Sequence, residues 1–287
     1  MQQTAKARLG MQVVMARSDA EREQIDRRVA ELLAQPVSAD GAVQIALLNN
    51  RGLQAAFLEL GITEAELVQA GRLPNPGFSF GRFTQGDEVE REFGLHFNLA
   101  RLIAMPMLQQ VQSRRFAQAQ GMAAMNVLSL AADTRKAWVM AVAAEETVRY
   151  TQQVMRAAEA GAELARRMAE VGNFNKLQQA REQSFYADAA LNVARAEQAQ
   201  RSARERLTRL MGLWGEQTAF RLPERLPDLP ATPREQPDVE RQAIAERLDV
   251  QGARLAVAQT ARQLGLTRTT RFVNVLELGL IRERSNE

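Results

Sequence analysis

The residues of this chain with the chemistry to catalyse, ligate metal or hold phosphate are few and scattered. His96 is the single histidine and there is no cysteine, so thiolate nucleophiles, disulfides and thiolate metal sites are excluded. Carboxylates gather at Glu88/Glu90/Glu92 and at Glu145-Glu146. They are acidic near-pairs without a metal or catalytic partner. They read as a water-facing strand and a solvated helix surface. Met122, Met125, Met140, Met155 and Met168 carry thioethers suited to copper, but methionine at helical spacing more simply fills gaps between helices. Gly77-Phe-Ser-Phe-Gly81 lacks the helix that follows a phosphate loop; its glycines sit inside an alternating run, where they make room on one strand face. The expectation is no enzyme, no cofactor and no metal.

The elements that would position such residues are mostly helical. Of 287 residues, 46% are hydrophobic but only 5% aromatic, so the apolar share is largely Ala, Leu, Val and Met, as in helices packed side by side. Lys+Arg is 37 against Asp+Glu 34, and the two signs alternate along the helices, which describes solvated faces with i,i+4 pairs. A nucleic-acid surface would gather its positive charge with stacking aromatics on one face; none is expected here. No apolar run is long enough for a transmembrane helix. The first residues have a basic flank without the apolar core of an export signal, so the protein is either cytosolic or has a signal upstream.

Residues 1–37 read as a polar, weakly helical lead-in ending at Pro36. Ser38-Ala-Asp-Gly then caps a helix over 39–72, stopped by Leu73-Pro-Asn-Pro76. Over 76–99 the period becomes two: Phe78, Phe80, Phe93, Leu95, Phe97 and Leu99 fall on one face, Glu92, His96 and Asn98 on the other. Thr84-Gln-Gly-Asp-Glu88 marks the turn of a β-hairpin. The apolar face either covers a soluble core or meets lipid while the polar face lines water, and alternation alone leaves both open. His96 there reads as a pore-facing or loop residue rather than a ligand.

A long helical hairpin is expected over 105–212. It breaks at Gly172-Asn173, a helix C-cap signature. Leu177, Ala180, Ser184, Ala187, Leu191 and Ala194 form a heptad seam of mostly small residues on the second arm. Val154, Ala158, Gly161, Ala165 and Met168 answer on the first. Residues 213–237 hold five prolines and read as a surface linker, followed by a helix over 238–267 and a strand over 271–281. Two segments share one plan, helix, break and strand: Ala46–Ala56 leading to Phe78-Ser-Phe-Gly81, and Ala243–Ala253 leading to Leu276-Glu-Leu-Gly279. The offset is about 197 residues. Residues 105–171 would span ~100 Å at ~1.5 Å per residue, and 176–212 with 238–267 together also ~100 Å. Matching lengths suit a long tube with a sheet at one end better than a compact bundle.

On these stretches (Ala46–Ala56, Leu73-Pro-Asn-Pro-Gly-Phe-Ser-Phe-Gly81, Phe93–Leu99 and Ala169–Gln183) the chain resembles the TolC-type outer-membrane efflux proteins over roughly residues 38–287. The resemblance implies a mainly α fold with a few β-strands, built as tandem repeats. Each repeat is helix, strand, strand, long helix, helix. Residues 38–212 would be the first repeat and 238–287 the truncated start of the second, with 213–237 as an equatorial linker. It implies a homotrimer whose strands close a β-barrel in the outer membrane and whose helices cross the periplasm. Such a duct receives substrates from an inner-membrane pump through a periplasmic adaptor. Val171, Gly172, Asn173, Phe174 and Asn175 match the tip that meets the adaptor. Asn173 departs from the family's usual leucine, which bears on adaptor preference. Phe78, Phe80, Phe93, Leu95, Phe97 and Leu99 would face lipid, and Glu92, His96 and Asn98 the lumen. A fourth strand and a second helical hairpin would follow Glu287, an export signal would precede Met1, and the piece as given would form no stable pore. The competing expectation is a soluble coiled-coil scaffold.

Overall fold

The computed structural model describes residues 8–11, 13, 14, 16, 18–85, 88–229, 231, 232, 238–270 and 277–286. The chain divides into two units, Met1–Ala55 with Asn126–Gln236, and Ala56–Met125 with Pro237–Glu287.

In the first unit, α1 (Asp19–Leu33) and α2 (Ala39–Asn49) open on Ser18 and Ser38. Each serine hydroxyl accepts a backbone N–H from three residues on, satisfying a donor that the first turn leaves free. The two helices pack on the middle of α4 (Leu99–Glu170) and the end of α5 (Lys176–Met211). Ile25, Val29, Ile45, Leu48, Trp138, Val142, Leu207 and Met211 belong to one buried cluster. Trp138 Nε1 donates to Val37 O at 2.7 Å, so the largest core side chain also has its polar atom paired.

Three sequence expectations need correction here. Residues 19–33 are not a weakly helical lead-in: Ile25 and Val29, four apart on α1, reach the core. The 213–237 linker is, over its described part, a packed strap. It contains a 3-10 turn at Gly215–Ala219, and Leu213, Phe220 and Leu222 are buried. Glu145 and Glu146, read as solvated, hold this strap. Arg204 bonds Glu145 at 3.2 Å and lies 4.2 Å over the Phe220 ring, while Glu146 accepts from Leu226 N at 3.0 Å.

The single helix expected over 39–72 is two. Asn50 leaves helical geometry (φ −66°, ψ 116°), and α3 (Arg51–Ala70) restarts at once. Asn50 Oδ1 accepts from Leu53 N at 3.0 Å, so one residue ends a helix and caps the next. The amides of Asn49 and Asn50 bond Gly212 O at 2.7 Å and Leu210 O at 2.9 Å, satisfying carbonyls that the end of α5 would leave orphaned. Gly212 closes that end at φ +68°, and an added Cβ would lie 2.6 Å from Asn49 O.

The same break recurs in the second unit between α6 (Val239–Glu246) and α7 (Leu248–Thr270), where the reading had one helix over 238–267. Arg247 has φ −62° and ψ 116°. Gln251 Nε2 bonds Ala245 O at 3.0 Å as Gln54 Nε2 bonds Leu48 O at 3.5 Å. All three pairs of positions differ by 197, so the internal repeat extends to the backbone.

Strands β1 (Gly77–Gln85), β2 (Glu88–Asn98) and β3 (Glu277–Asn286) form an antiparallel sheet in the order β1-β2-β3. Of the strand expected over 271–281, residues 271–276 lie outside the described ones, as do Gly86 and Asp87 of the hairpin turn. Asn98 Oδ1 accepts from Arg101 N at 2.8 Å, and this cap starts α4 at Leu99 instead of 105. Leu99, assigned to the strand's apolar face, is therefore helical. Pro106 lies inside α4. It sits in the second turn, where one missing N–H bond is tolerated at a cost. The 72 residues of α4 correspond to about 110 Å of helix.

Candidate functional site

Two places carry the residues singled out from the sequence. The first is the sheet. Register pairs Phe78 with Leu95 and Phe80 with Phe93 across β1 and β2, and Leu95 with Leu280 and Phe97 with Leu278 across β2 and β3. These side chains therefore share one face. Phe80 and Phe93 rings meet at 5.0 Å in a tilted pair. No core covers the face: Phe78 is 72% and Leu280 69% exposed. Water makes such a face unfavourable, whereas lipid does not.

The opposite face carries Glu92, His96 and Asn98. His96 Nε2 lies 2.9 Å from Ser79 Oγ. Gly77 and Gly279 stand opposite His96 on the two neighbouring strands. A Cβ on Gly94 would come within 2.3 Å of Ser79 Oγ and 2.9 Å of His96 Nε2, and one on Gly279 within 3.1 Å of His96 Nδ1. The glycines of the strand pattern thus make space for the imidazole. Among the described residues no three His, Asp or Glu side chains gather as a metal would require.

The second place is the turn between α4 and α5. Asn173 N donates to Met168 O at 2.8 Å and Gly172 N to Ala169 O at 3.1 Å, the paired bonds of a Schellman motif. Gly172, at φ +80°, is the left-handed residue that this motif needs. Asn175 then opens α5: its side chain accepts from Gln178 N and Gln178 Oε1 accepts from Asn175 N, both at 2.9 Å. This capping box closes the turn from the other side. Val171 is 71% exposed, Asn173 is exposed and Phe174 half-buried.

Beside the turn, Arg166 bonds Glu163 at 2.8 Å and Glu170 at 2.5 Å, and Arg167 bonds Glu163 at 2.7 Å. Hydrogen bonds from Arg166 and then Arg167 pull the Glu163 carboxyl down to about 2. All four residues belong to one helix.

The seam expected on α5 does not face α4. The buried stripe of α5 is Ala189, Val193 and Ala196, whereas Leu177, Ala180, Ser184, Ala187, Leu191 and Ala194 are exposed. On α4 the seam is as expected, with Ala158 and Ala165 buried. The small-residue stripe of α5 is left uncovered.

No protein-family model matches the sequence, and no curated protein matches it. Solved structures do. A membrane protein from Pseudomonas aeruginosa aligns with TM-score 0.71 at 16% identity, over 86% of this chain and 66% of that one. The Campylobacter jejuni CmeC outer membrane channel aligns with TM-score 0.70 at 12% identity, over 100% of this chain and 67% of that one. The open state of the Neisseria gonorrhoeae MtrE outer membrane channel aligns with TM-score 0.64 at 17% identity, over 85% and 62%. The fold is thus a long helical hairpin joined to a small antiparallel sheet. It is the fold of TolC-type outer-membrane channels, of which this chain spans about two thirds of the length.

Proposed function

We propose that the full-length protein is the outer-membrane exit duct of a tripartite efflux system. Substrates delivered by an inner-membrane pump pass through a periplasmic adaptor into a water-filled lumen and out of the cell. The protein supplies geometry and a wall; it is not an enzyme. The observation that carries this reading is the bare apolar face of the sheet, with Glu92, His96 and Asn98 on its other side. An open sheet edge cannot sit in lipid, so β1 and β3 would pair with strands from other segments or from two further copies in a trimer. The uncovered stripe of α5 supports the same assembly, because small residues at heptad spacing admit a neighbouring helix.

In this reading Val171 to Asn175 are the adaptor-docking tip. Their backbone bonds are satisfied within the turn, and the side chains of Val171 and Asn173 are turned outward. The test uses the full-length protein in cells lacking their own duct. It is expected in the outer-membrane fraction, as a heat-resistant trimer, and to restore export of a fluorescent pump substrate. Asn173→Arg with Phe174→Glu is expected to abolish export while trimers persist; unchanged export would remove the tip assignment. Recovery of the protein in the soluble fraction would favour a coiled-coil scaffold instead.

A further inference from the structure

Charge is sorted through the thickness of the sheet. Glu90, Glu92, Glu277 and Glu283 lie on the face with His96, and Arg82, Arg91, Arg282 and Arg284 on the face with Phe78, Phe80, Phe93 and Phe97, by the alternation and register of the three strands. Arg82, Arg91 and Arg284 form one row, each directly opposite the next across β1, β2 and β3. Like charges placed opposite each other repel. No carboxylate shares the described part of this face, and these guanidinium groups have no ion-pair partner among the described residues. All four are exposed.

The row also has a definite height. Arg91 is two residues from Phe93, ~7 Å along the strand, so the guanidinium groups edge the apolar band on the side of the hairpin turn. Helices α3 and α4 leave the sheet from its opposite end. Arginine buries its stem along apolar surface and keeps its head in a polar layer, and its planar fork matches phosphate oxygens two at a time. Three forks side by side, edging an aromatic band, suit a ligand with phosphate groups attached to acyl chains. A free anion would use the charge and leave the band unexplained.

We propose that Arg82, Arg91 and Arg284 seat the phosphate groups of a lipid that carries more than one phosphate, in the leaflet nearest the hairpin turn. This rests on the reading of the sheet as a membrane wall.

The experiment is native mass spectrometry of the full-length protein released from detergent with added lipid. The probes are a bisphosphorylated glucosamine glycolipid, its dephosphorylated form, and phosphatidylethanolamine. The wild type is expected to retain the bisphosphorylated form at least tenfold better than either other lipid. Arg91→Gln should weaken it roughly tenfold, as expected when a charged hydrogen bond is lost, and the triple glutamine variant more. Glu92→Gln with Glu283→Gln should leave retention unchanged. Equal retention of phosphorylated and dephosphorylated lipid by the wild type would overturn the proposal, whatever the variants' folding. So would displacement by millimolar inorganic phosphate, which marks a simple anion site. Fractionation separates this from the parent reading: a protein found outside the membrane fails both, and one in the outer membrane without phosphate preference fails only this.

Discussion

The packed cluster of the first unit and the sheet of the second dispose their large apolar side chains in opposite ways. Around Leu207 and Trp138 they are inside, with polar groups such as the Trp138 ring nitrogen satisfied by backbone. On the sheet Phe78, Phe80, Phe93, Phe97, Leu278 and Leu280 are outside on one face, and the other face is mostly polar and glycine positions, with Phe83 and Ile281 among them. In the proposed reading one chain obeys two burial rules, one for water and one for lipid. An apolar residue in α1 or α5 is stabilised by leaving water for protein; on β1 and β2 it would be stabilised by leaving water for lipid.

The largest effect should come from the packed side. Leu207→Ala, at a position fully buried, is expected to cost about 2–5 kcal/mol, read as a lower unfolding temperature in any solvent. Phe78→Arg, on the apolar sheet face in one row with Leu95 and Leu280, is expected to cost about 2–4 kcal/mol in bilayers. In a peptide-like soluble setting the same exposed position should change stability by less than about 0.5 kcal/mol. Equal costs in both media would break the comparison, since they would mean that the face is an ordinary core.

Two left-handed glycines sharpen it further. Gly212→Ala meets both strain and the Asn49 carbonyl, so its cost should exceed the roughly 1–2 kcal/mol of left-handed geometry alone. Gly172→Ala has open space around it and should cost no more than that strain. A reversal of the two unfolding shifts would mean that the α2–α5 junction is looser than described.

The smallest effect concerns acid. Glu163 titrates at about 2 against an ordinary 4.5, so its bonds to Arg166 and Arg167 stabilise above about pH 4.5 and are lost as pH falls towards 2. Its contact with water keeps that contribution small. Carboxyl NMR should give a midpoint near 2, and a midpoint near 4.5 would show the network unformed.

The faces of the hairpin and the place of the α4–α5 turn were legible in the sequence because each follows from local rules: period two on a strand, and glycine with asparagine at a helix end. The break at Asn50 was not, since no proline marks it and its partners, Leu210 and Gly212, are about 160 residues away. The α5 seam was misassigned for a different reason. Alanine occurs on every side of that helix, so spacing offers more than one small-residue stripe and only packing chooses between them. Residues 19–33 look polar because charges outnumber Ile25 and Val29, although two apolar residues four apart suffice to dock a short helix.

At the α4–α5 turn, the bonds running from Met168 to Gln178 close the backbone without help from distant residues. The side chain of Asn173 is therefore spared any duty in folding. A substitution there leaves the scaffold that carries it intact.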